Sequence, residues 1–286
     1  MISSKQDIVT GGQFSQNHYH RQVSVGNKVP IDILTDAVAP SSFHDSGARF
    51  DPSKCHPRTR VQILAKIMRW IVGQDEENRS KPFMWLSGAA GCGKSAIAQS
   101  TVELCLEQGI LLASFFFNRT DHTRNTAESL VATLAYQLYY TFPETEVQLE
   151  ILSAIKKDPL IFKRTIQRQF TSLTVQPLAA YLSKDSSTQR RTPFLIMIDG
   201  LDECKDCASQ KSILTGLADS VRSFPTCIRV FIASRPEHNI KLSFVSKCLK
   251  GVYTHLTLDM HVESQVYLDI KLYLSDRFAE NTGRLR

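Results

Sequence analysis

The stretch "PFMWLSGAAGCGKSAIAQS", residues 82–100, runs from an apolar segment through a glycine-rich turn into a segment with helical character. The chain has only 13 glycines, and three of them fall within six positions directly before Lys94. Glycine in a loop permits left-handed or crowded backbone conformations. Three glycines between a strand and a helix therefore indicate that a large anion approaches the main chain here.

The turn matches the phosphate-binding pattern GxxxxGK[ST], the Walker A element, in full. Main-chain amides at a helix N-terminus attract phosphate, and Lys94 adds a point charge for the β- and γ-phosphates. The Ser95 hydroxyl is a hard oxygen ligand of the kind that Mg²⁺ prefers. A chance match in a glycine-rich turn is the competing interpretation, but the position between strand and helix favours the loop. The predicted nucleotide-binding residues are Gly88, Ala89, Ala90, Gly91, Cys92, Gly93, Lys94, Ser95 and Ala96.

The segment "FLIMIDGLDEC", residues 194–204, is the second motif. Its apolar run predicts a buried strand that delivers Asp199 to the C-terminal edge of a sheet, where ligands of open α/β folds bind. We expect Asp199 to contact the Mg²⁺ that Ser95 binds, either directly or through another ligand of the ion, in the manner of a Walker B aspartate. Asp202 and Glu203 are both candidate catalytic acids that orient or deprotonate the attacking water. The alternative is a solvated turn after a buried strand.

The segment "RVFIASRPE", residues 229–237, predicts a further strand that ends beside an arginine. We predict that Arg235 neutralises charge developing during phosphoryl transfer, as a catalytic residue. The alternative is a strand-capping arginine paired with a surface carboxylate. Arg119 and Arg124, after another apolar run, are weaker candidates.

Hydrophobic patterning divides the chain into a leader and a folded domain. Residues 1–50 are polar without sustained periodicity, which predicts a flexible leader or linker with one short helix near residues 31–37. A helix is expected over residues 58–72, with Val61, Leu64, Met68 and Ile71 on its buried face. The following segments predict a core over about residues 82–260, with helical breaks at Asp158-Pro159 and Gln176-Pro177. A final helix is expected over residues 262–280.

Continuous apolar runs separated by helical segments predict an α/β fold with a parallel sheet covered on both faces. The composition is that of a globular protein, with 42% hydrophobic and 22% charged residues. The net charge of +6 is diffuse, so nucleic acid is an unlikely partner. The apolar runs are shorter than the roughly 18–20 residues that span a bilayer. Seven cysteines and the lack of a signal-peptide pattern predict a cytoplasmic protein.

Two further sequence patterns bear on zinc binding and on the choice of nucleotide. Cys204 and Cys207 form a CxxC pair, but a zinc site needs two more ligands at fitting spacing. No Asn-Lys-x-Asp element follows the core strands to select guanine, so ATP and ADP are the expected nucleotides.

Four segments, "GAAGCGKSAIAQS", "ASFFFNRTDHTRN", "FLIMIDGLDEC" and "RVFIASRPE", together resemble the NACHT domains of fungal STAND proteins. This lineage of P-loop NTPases carries the nephrocystin-3-like N-terminal domain. The similarity extends over about residues 46–280. The resemblance implies a three-layer P-loop NTPase core with a five-stranded parallel sheet of order 5-1-4-3-2, within a NACHT-type domain over residues 51–286. It also implies that Asp199 holds Mg²⁺ through water.

The resemblance implies a slow ATPase that serves as a nucleotide-dependent switch in fungal non-self recognition or cell death. Expected partners are a nucleoside triphosphate and either other proteins or further copies of the chain. Members of the group usually continue into a winged-helix region and repeats, for which this sequence has no equivalent segment. A nucleotide-binding interaction module without turnover and an AAA+-like nucleic-acid remodeller are the alternative functions.

Overall fold

The computed structural model describes residues 28–49, 52–184, 193–222, 228–258 and 264–283. They contain one sheet whose strands are β1 (Phe83–Gly88), β2 (Leu112–Phe116), β3 (Phe194–Asp199), β4 (Ile228–Ser234) and β5 (Tyr253–Leu258). All neighbouring strands are parallel, and their order is β2-β3-β4-β1-β5. Counted from the other edge this order is 5-1-4-3-2, so the predicted topology is confirmed.

The sheet is covered on both faces. In β1, Phe83 and Trp85 pack into one hydrophobic cluster, whereas Met84 and Leu86 pack into a second. Such alternation places the two clusters on opposite faces, because successive strand side chains point to opposite sides. Every residue of β1, β2, β3 and β4 is buried, as their continuous apolar runs predict.

The helices in the described ranges surround this sheet. They are α1 (Pro30–Asp36), α2 (Val61–Ile71), α3 (Lys94–Glu107), α4 (Leu130–Thr141), α5 (Glu146–Lys157), α6 (Ile166–Phe170), α7 (Gln176–Lys184), α8 (Cys207–Arg222), α9 (His238–Val245) and α10 (Ser264–Gly283). The side chains of α4 and α8 contribute to one cluster, and those of α2 and α3 to the other. The fold is therefore a three-layer α/β P-loop NTPase core.

The connection between α6 and α7 departs from the predicted break at Gln176-Pro177. A π-helical turn, Thr171–Val175, joins the two helices without interruption. The π-helical turn directly precedes Gln176 and Pro177, and such turns accommodate a local departure from the regular hydrogen-bond ladder, to which proline cannot donate. The predicted break at Asp158-Pro159 is confirmed, because α5 ends at Lys157. Residues 185–192 of the predicted helical stretch lie outside the described residues.

Helix α2 begins at Val61 rather than at residue 58. Arg58 and Arg60 have φ values of 68° and 57°, which exclude them from a right-handed helix. Met68 and Ile71 are buried as expected, whereas Val61 is 58% exposed. The buried face of α2 therefore begins further along the chain than the periodicity predicted.

Residues 28–49 differ from the predicted flexible leader, although α1 lies where a short helix was expected. Leu34 is 0% exposed and packs in the same cluster as α4. The Ala39 amide donates to the Thr133 hydroxyl at 3.0 Å. The apolar residues of this segment are isolated between prolines and serines, so they show no periodicity in the sequence. Their burial becomes visible only when the packing of the segment against the domain is known. Residues 1–27 of the predicted leader lie outside the described residues.

The last helix, predicted over residues 262–280, is α10, and residues 262 and 263 lie outside the described residues. Its apolar side chains Tyr267, Leu268, Ile270 and Leu274 are exposed. Among the helices in the described ranges, none combines the length and apolarity that crossing a membrane requires.

We predict that Leu34→Ala lowers the free energy of unfolding by about 2–5 kcal/mol, because it deletes fully buried methyl groups from the core. Urea denaturation measures this change. Val29→Ala is the matched control, since Val29 in the same segment is 54% exposed. Equal stabilities of the two variants would contradict the packing of residues 28–49 against the domain.

Candidate nucleotide-binding site

The three sequence motifs meet at one edge of the sheet. In the parallel registers, Ser87 of β1 pairs with Ser234 of β4, and Asp199 of β3 pairs with Ala233. The segments that follow these strands therefore lie side by side, although long stretches of sequence separate them. This is the edge at which open α/β sheets bind ligands.

The glycine-rich loop has the backbone that its sequence predicted. Gly91 and Gly93 have φ values of 77° and 92°, in the left-handed region, and Gly93 is the N-cap of α3. A Cβ added to Gly88 would lie 2.6 Å from Cys92 Sγ and 3.0 Å from Leu258 Cβ. The positive φ angles thus require glycine at positions 91 and 93, and close packing requires glycine at position 88.

Helix α3 begins at Lys94, so Ser95 and Ala96 lie in its first turn. The Lys94 ammonium donates to the carbonyl oxygens of Gly88 at 2.9 Å and Ala89 at 2.8 Å. This lysine therefore folds back along its own loop, in which Ala89 and Gly91 are exposed. A phosphate in the loop would replace the carbonyl oxygens as its acceptor.

Asp199 is the most unusual polar group of the site. Its carboxyl is buried, and its Oδ1 atom has no hydrogen-bond partner in the described part of the chain. Burial raises the pKa of Asp199 to about 6, against a hydrogen bond from Ser95 and the positive charge of Arg49, which lower it. Glu203 and Asp202 raise this pKa further.

Ser95 and Asp199 thus supply adjacent hard oxygens, one of them without a partner. This donor set fits Mg²⁺, which proteins usually hold through one or two carboxylates together with substrate phosphates. Within the described ranges, no group of three His, Cys, Asp or Glu side chains is placed to hold a metal ion. Water and phosphate oxygens would complete the coordination of such an ion.

Asp202 is paired with Arg235. Its side chain is only 2% exposed, and it accepts a hydrogen bond from the Arg235 amide at 2.8 Å. The Arg235 Nε atom lies 3.2 Å from the second carboxylate oxygen. The structure therefore pairs Arg235 with a buried distal acid, and not with the surface carboxylate of the alternative interpretation. The side chain of Arg235 nevertheless remains 43% exposed beside the motif.

Glu203 is held by the loop that follows β2. Its Oε2 atom accepts a hydrogen bond from the Arg119 amide at 3.0 Å, and Arg119 Nη2 donates to the Asp202 carbonyl at 2.9 Å. Glu203 is half-buried, so it is the more accessible of the two distal acids. Arg119, a weak candidate from sequence, lies within this cluster because it follows the strand next to β3.

Arg49 is the site residue that the sequence did not indicate. Its guanidinium stacks 3.7 Å over the Phe116 ring, and Nη1 donates to Gln99 Oε1 at 3.2 Å. Its charge lowers the pKa of Asp199. Gln99 lies one turn after Ser95, which places Arg49 next to the predicted metal ligands. The only hint in the sequence was an isolated basic residue within the predicted leader.

Comparison with known proteins bears on this site. The family model described as "Nephrocystin 3, N-terminal" matches residues 65–235. No curated protein matches the chain.

Solved structures that resemble the chain include complexes of Drosophila ORC. ORC bound to AT-rich DNA and Cdc6 shares 12% identity at a TM-score of 0.39, covering 72% of this chain and 59% of that chain. ORC bound to DNA shares 12% identity at a TM-score of 0.41, covering 89% of this chain and 37% of that chain. The chain thus spans less than two thirds of those chains, and likeness at this level carries no functional argument.

We predict that Gly88→Ala destabilises the protein by about 1–3 kcal/mol, because the new methyl group overpacks the contact with Cys92 and Leu258. Chemical denaturation measures the loss. Gly47→Ala is the control, because a Cβ at Gly47 meets nothing within 4 Å. A Gly88→Ala variant as stable as the control would contradict the close approach.

We also predict that Asp199→Asn stabilises the nucleotide-free protein at neutral pH. The folded pKa of about 6 lies above the ordinary value of 3.8. Below about pH 4 the Asp199 carboxyl is protonated and its burial costs no ionisation energy. As the pH rises through about 6, the buried carboxyl ionises and the free energy of unfolding falls. At about 1.4 kcal/mol per pKa unit, the variant should be more stable by about 2–3 kcal/mol at pH 7.5.

Urea denaturation at pH 4 and at pH 7.5 tests this expectation for Asp199. The difference between the variant and the unchanged protein should be small at the lower pH and large at the higher. A difference independent of pH would contradict the burial of an ionisable carboxyl.

Proposed function

The chain belongs to the nephrocystin 3 N-terminal family, and on this basis we propose that it binds ATP or ADP with Mg²⁺ and hydrolyses ATP slowly. The observation that supports this most strongly is the pair formed by Ser95 and Asp199. A hydroxyl lies beside a buried carboxyl whose Oδ1 atom has no partner in the described residues. A buried carboxylate oxygen is costly unless something binds it, and a cation shared with phosphate is suited to that position.

The nucleotide phosphates would lie against the loop from Gly88 to Ala96. The left-handed glycines expose main-chain amides at the start of α3, where the helix dipole favours an anion. Lys94 would transfer its hydrogen bonds from the carbonyls of Gly88 and Ala89 to phosphate oxygens. When bound, Mg²⁺ supplies positive charge beside the phosphates, with Ser95 and Asp199 as its protein ligands.

For hydrolysis, we assign different roles to the two distal acids. Glu203, half-buried and fixed by the Arg119 amide, would accept a proton from the attacking water at its carboxylate. Asp202 would hold Arg235 in place through the contacts of 2.8 and 3.2 Å. Arg235 would then neutralise charge on the transferring phosphoryl group. In this scheme, the pairing with Asp202 orients Arg235 for catalysis.

The wider role that we propose is a nucleotide-dependent switch. Its support is the resemblance of the four motifs to NACHT domains of fungal STAND proteins, in which such a switch serves non-self recognition or cell death. Under this proposal, residues 51–286 form the NACHT-type domain in the cytoplasm, and protein partners or other copies of the chain respond to its nucleotide state. The domain would also include the packed residues 28–49.

We predict that Lys94→Ala weakens binding of Mg²⁺-ATP by about tenfold to a hundredfold, since hydrogen bonds to charged groups contribute about 1.5–3 kcal/mol. Isothermal titration calorimetry measures this change. Lys81→Ala is a suitable control, because Lys81 precedes β1 at the opposite edge of the sheet. Equal affinities for the Lys94 variant and the unchanged protein would overturn the proposed site.

We predict that Glu203→Gln lowers the hydrolysis rate by about 10²-fold or more, because it removes the proton acceptor, while nucleotide affinity changes little. Phosphate release should be measured over a range of protein concentrations, since a neighbouring copy could supply a catalytic arginine. Tight binding without turnover at any concentration would favour an interaction module. Hydrolysis stimulated by DNA, with steep salt dependence of DNA binding, would favour a nucleic-acid remodeller.

A further inference from the structure

Arg60 contacts both the phosphate loop and the last helix. Its Nη2 atom donates to the Cys92 carbonyl oxygen at 3.3 Å. Its backbone amide donates to Asp269 Oδ2 of α10 at 3.0 Å, and its Nε atom lies 4.0 Å from the same oxygen. One residue thus connects α10 with the loop that would hold the phosphates.

The segment that carries Arg60 has an unfavourable backbone conformation. Arg58 and Arg60 both have positive φ, and Glu144 is the only other non-glycine residue with positive φ in the described ranges. Side chains rarely adopt this conformation, and it persists where surrounding contacts hold it. In Arg60, the contact of the side chain with the Cys92 carbonyl accompanies this unfavourable backbone conformation.

Polar and aromatic contacts attach α10 at this place, where the Tyr273 ring meets the His56 ring edge-on at 5.3 Å. Asp276 accepts from His56 at 2.7 Å and from Arg58 Nη2 at 3.0 Å. A cavity of about 990 Å³ lies beside them, bordered by Tyr273 and by residues of α2 and α3. Asp269 and Asp276 therefore fix α10 to the segment before α2, while several of its apolar side chains remain exposed.

The contact with Cys92 determines the direction of a neighbouring amide. The peptide between Cys92 and Gly93 is planar and trans, so its carbonyl and its N–H point in opposite directions. When Arg60 binds the Cys92 carbonyl, the Gly93 N–H is turned away from Arg60. Gly93, with its φ of 92°, has no side chain to fix this orientation.

We infer that Arg60, held by Asp269 of α10, is a positioning residue that orients the Cys92–Gly93 peptide so that the Gly93 amide can bind nucleotide phosphate. This inference rests on the proposed function and extends it, because it makes nucleotide affinity depend on a helix outside the motifs. Arg60 acts through the peptide and needs no contact with the nucleotide. The coupling is reciprocal, so bound nucleotide also strengthens the attachment of α10.

The test begins with Arg60→Gly, measured by calorimetry with Mg²⁺-ADP. Glycine removes the guanidinium but keeps the backbone amide that binds Asp269, and it relieves the left-handed conformation. We expect affinity to fall by about fivefold to tenfold, less than for Lys94→Ala, because Arg60 acts on the phosphate only through the Cys92–Gly93 peptide. The melting temperature without nucleotide should equal or exceed that of the unchanged protein, which a merely structural role would not produce.

A second variant, Asp269→Asn, tests the link through α10. It removes the charge that holds the Arg60 guanidinium and should weaken Mg²⁺-ADP binding by a similar factor. The double variant Asp269→Asn/Arg60→Gly should bind Mg²⁺-ADP no more weakly than either single variant. Both changes act on the same series of contacts, from Asp269 through the Arg60 guanidinium to the Cys92 carbonyl. Additive losses would contradict this single path.

Arg58→Gln is the matched control. Arg58 shares the segment and the left-handed backbone, but its guanidinium binds Asp276 and not the loop. We expect its affinity for Mg²⁺-ADP to stay within about twofold of that of the unchanged protein, since no hydrogen bond to the phosphate loop is lost. An equal loss in Arg58→Gln and Arg60→Gly would overturn the inference.

Hydrogen exchange supplies a readout of the coupling that does not depend on measured affinities. Bound Mg²⁺-ADP should slow amide exchange in α10 of the unchanged protein, and Arg60→Gly should abolish this effect. If nucleotide binds, depends on Lys94 and leaves α10 exchange unchanged, the inference fails and the proposed function stands. If the unchanged protein binds no nucleotide, both fail.

Discussion

The buried carboxyl of Asp199 is the constraint around which the site is arranged. An ionised group at the end of a central strand loses its hydration, and its Oδ1 atom has no partner in the described residues. Ser95 and Arg49 offset part of this cost, but burial still raises the pKa to about 6. The fold thus carries an unfavourable interaction that a bound cation would relieve. Under the proposed function, the cost of burying this carboxyl and the affinity for a metal nucleotide would have the same physical origin.

The parallel sheet explains why charges of both signs gather around this carboxyl. Its C-terminal edge collects the ends of β1, β3 and β4, so that three carboxylates and several basic side chains come close together. Mutual repulsion is reduced because each acid has its own partner. Asp202 binds Arg235, Glu203 accepts from the Arg119 amide, and Asp199 interacts with Ser95. This division leaves Glu203 as the acid most accessible to water.

Two arginines from outside the recognised motifs complete the surroundings of the site. Arg49 comes from the segment before α2 and lies beside Asp199, and Arg60 joins the glycine-rich loop to α10. Both belong to the N-terminal part of the domain, which packs on the core through Leu34 and Ala39. The surroundings of the candidate nucleotide site therefore include segments that lie outside the sequence motifs.

The sequence by itself determined the glycine-rich loop, the acidic strand end and the parallel α/β class. These features depend on local requirements, namely left-handed glycines and continuous apolar runs, and the resemblance of the motifs supplied the strand order. The tertiary structure alone decided the placement of Arg49 and Arg60, the start of α2 and the pairing of Asp202 with Arg235. Each of these depends on contacts between residues distant in the chain, and a buried surface or a left-handed arginine leaves no periodic trace in the sequence.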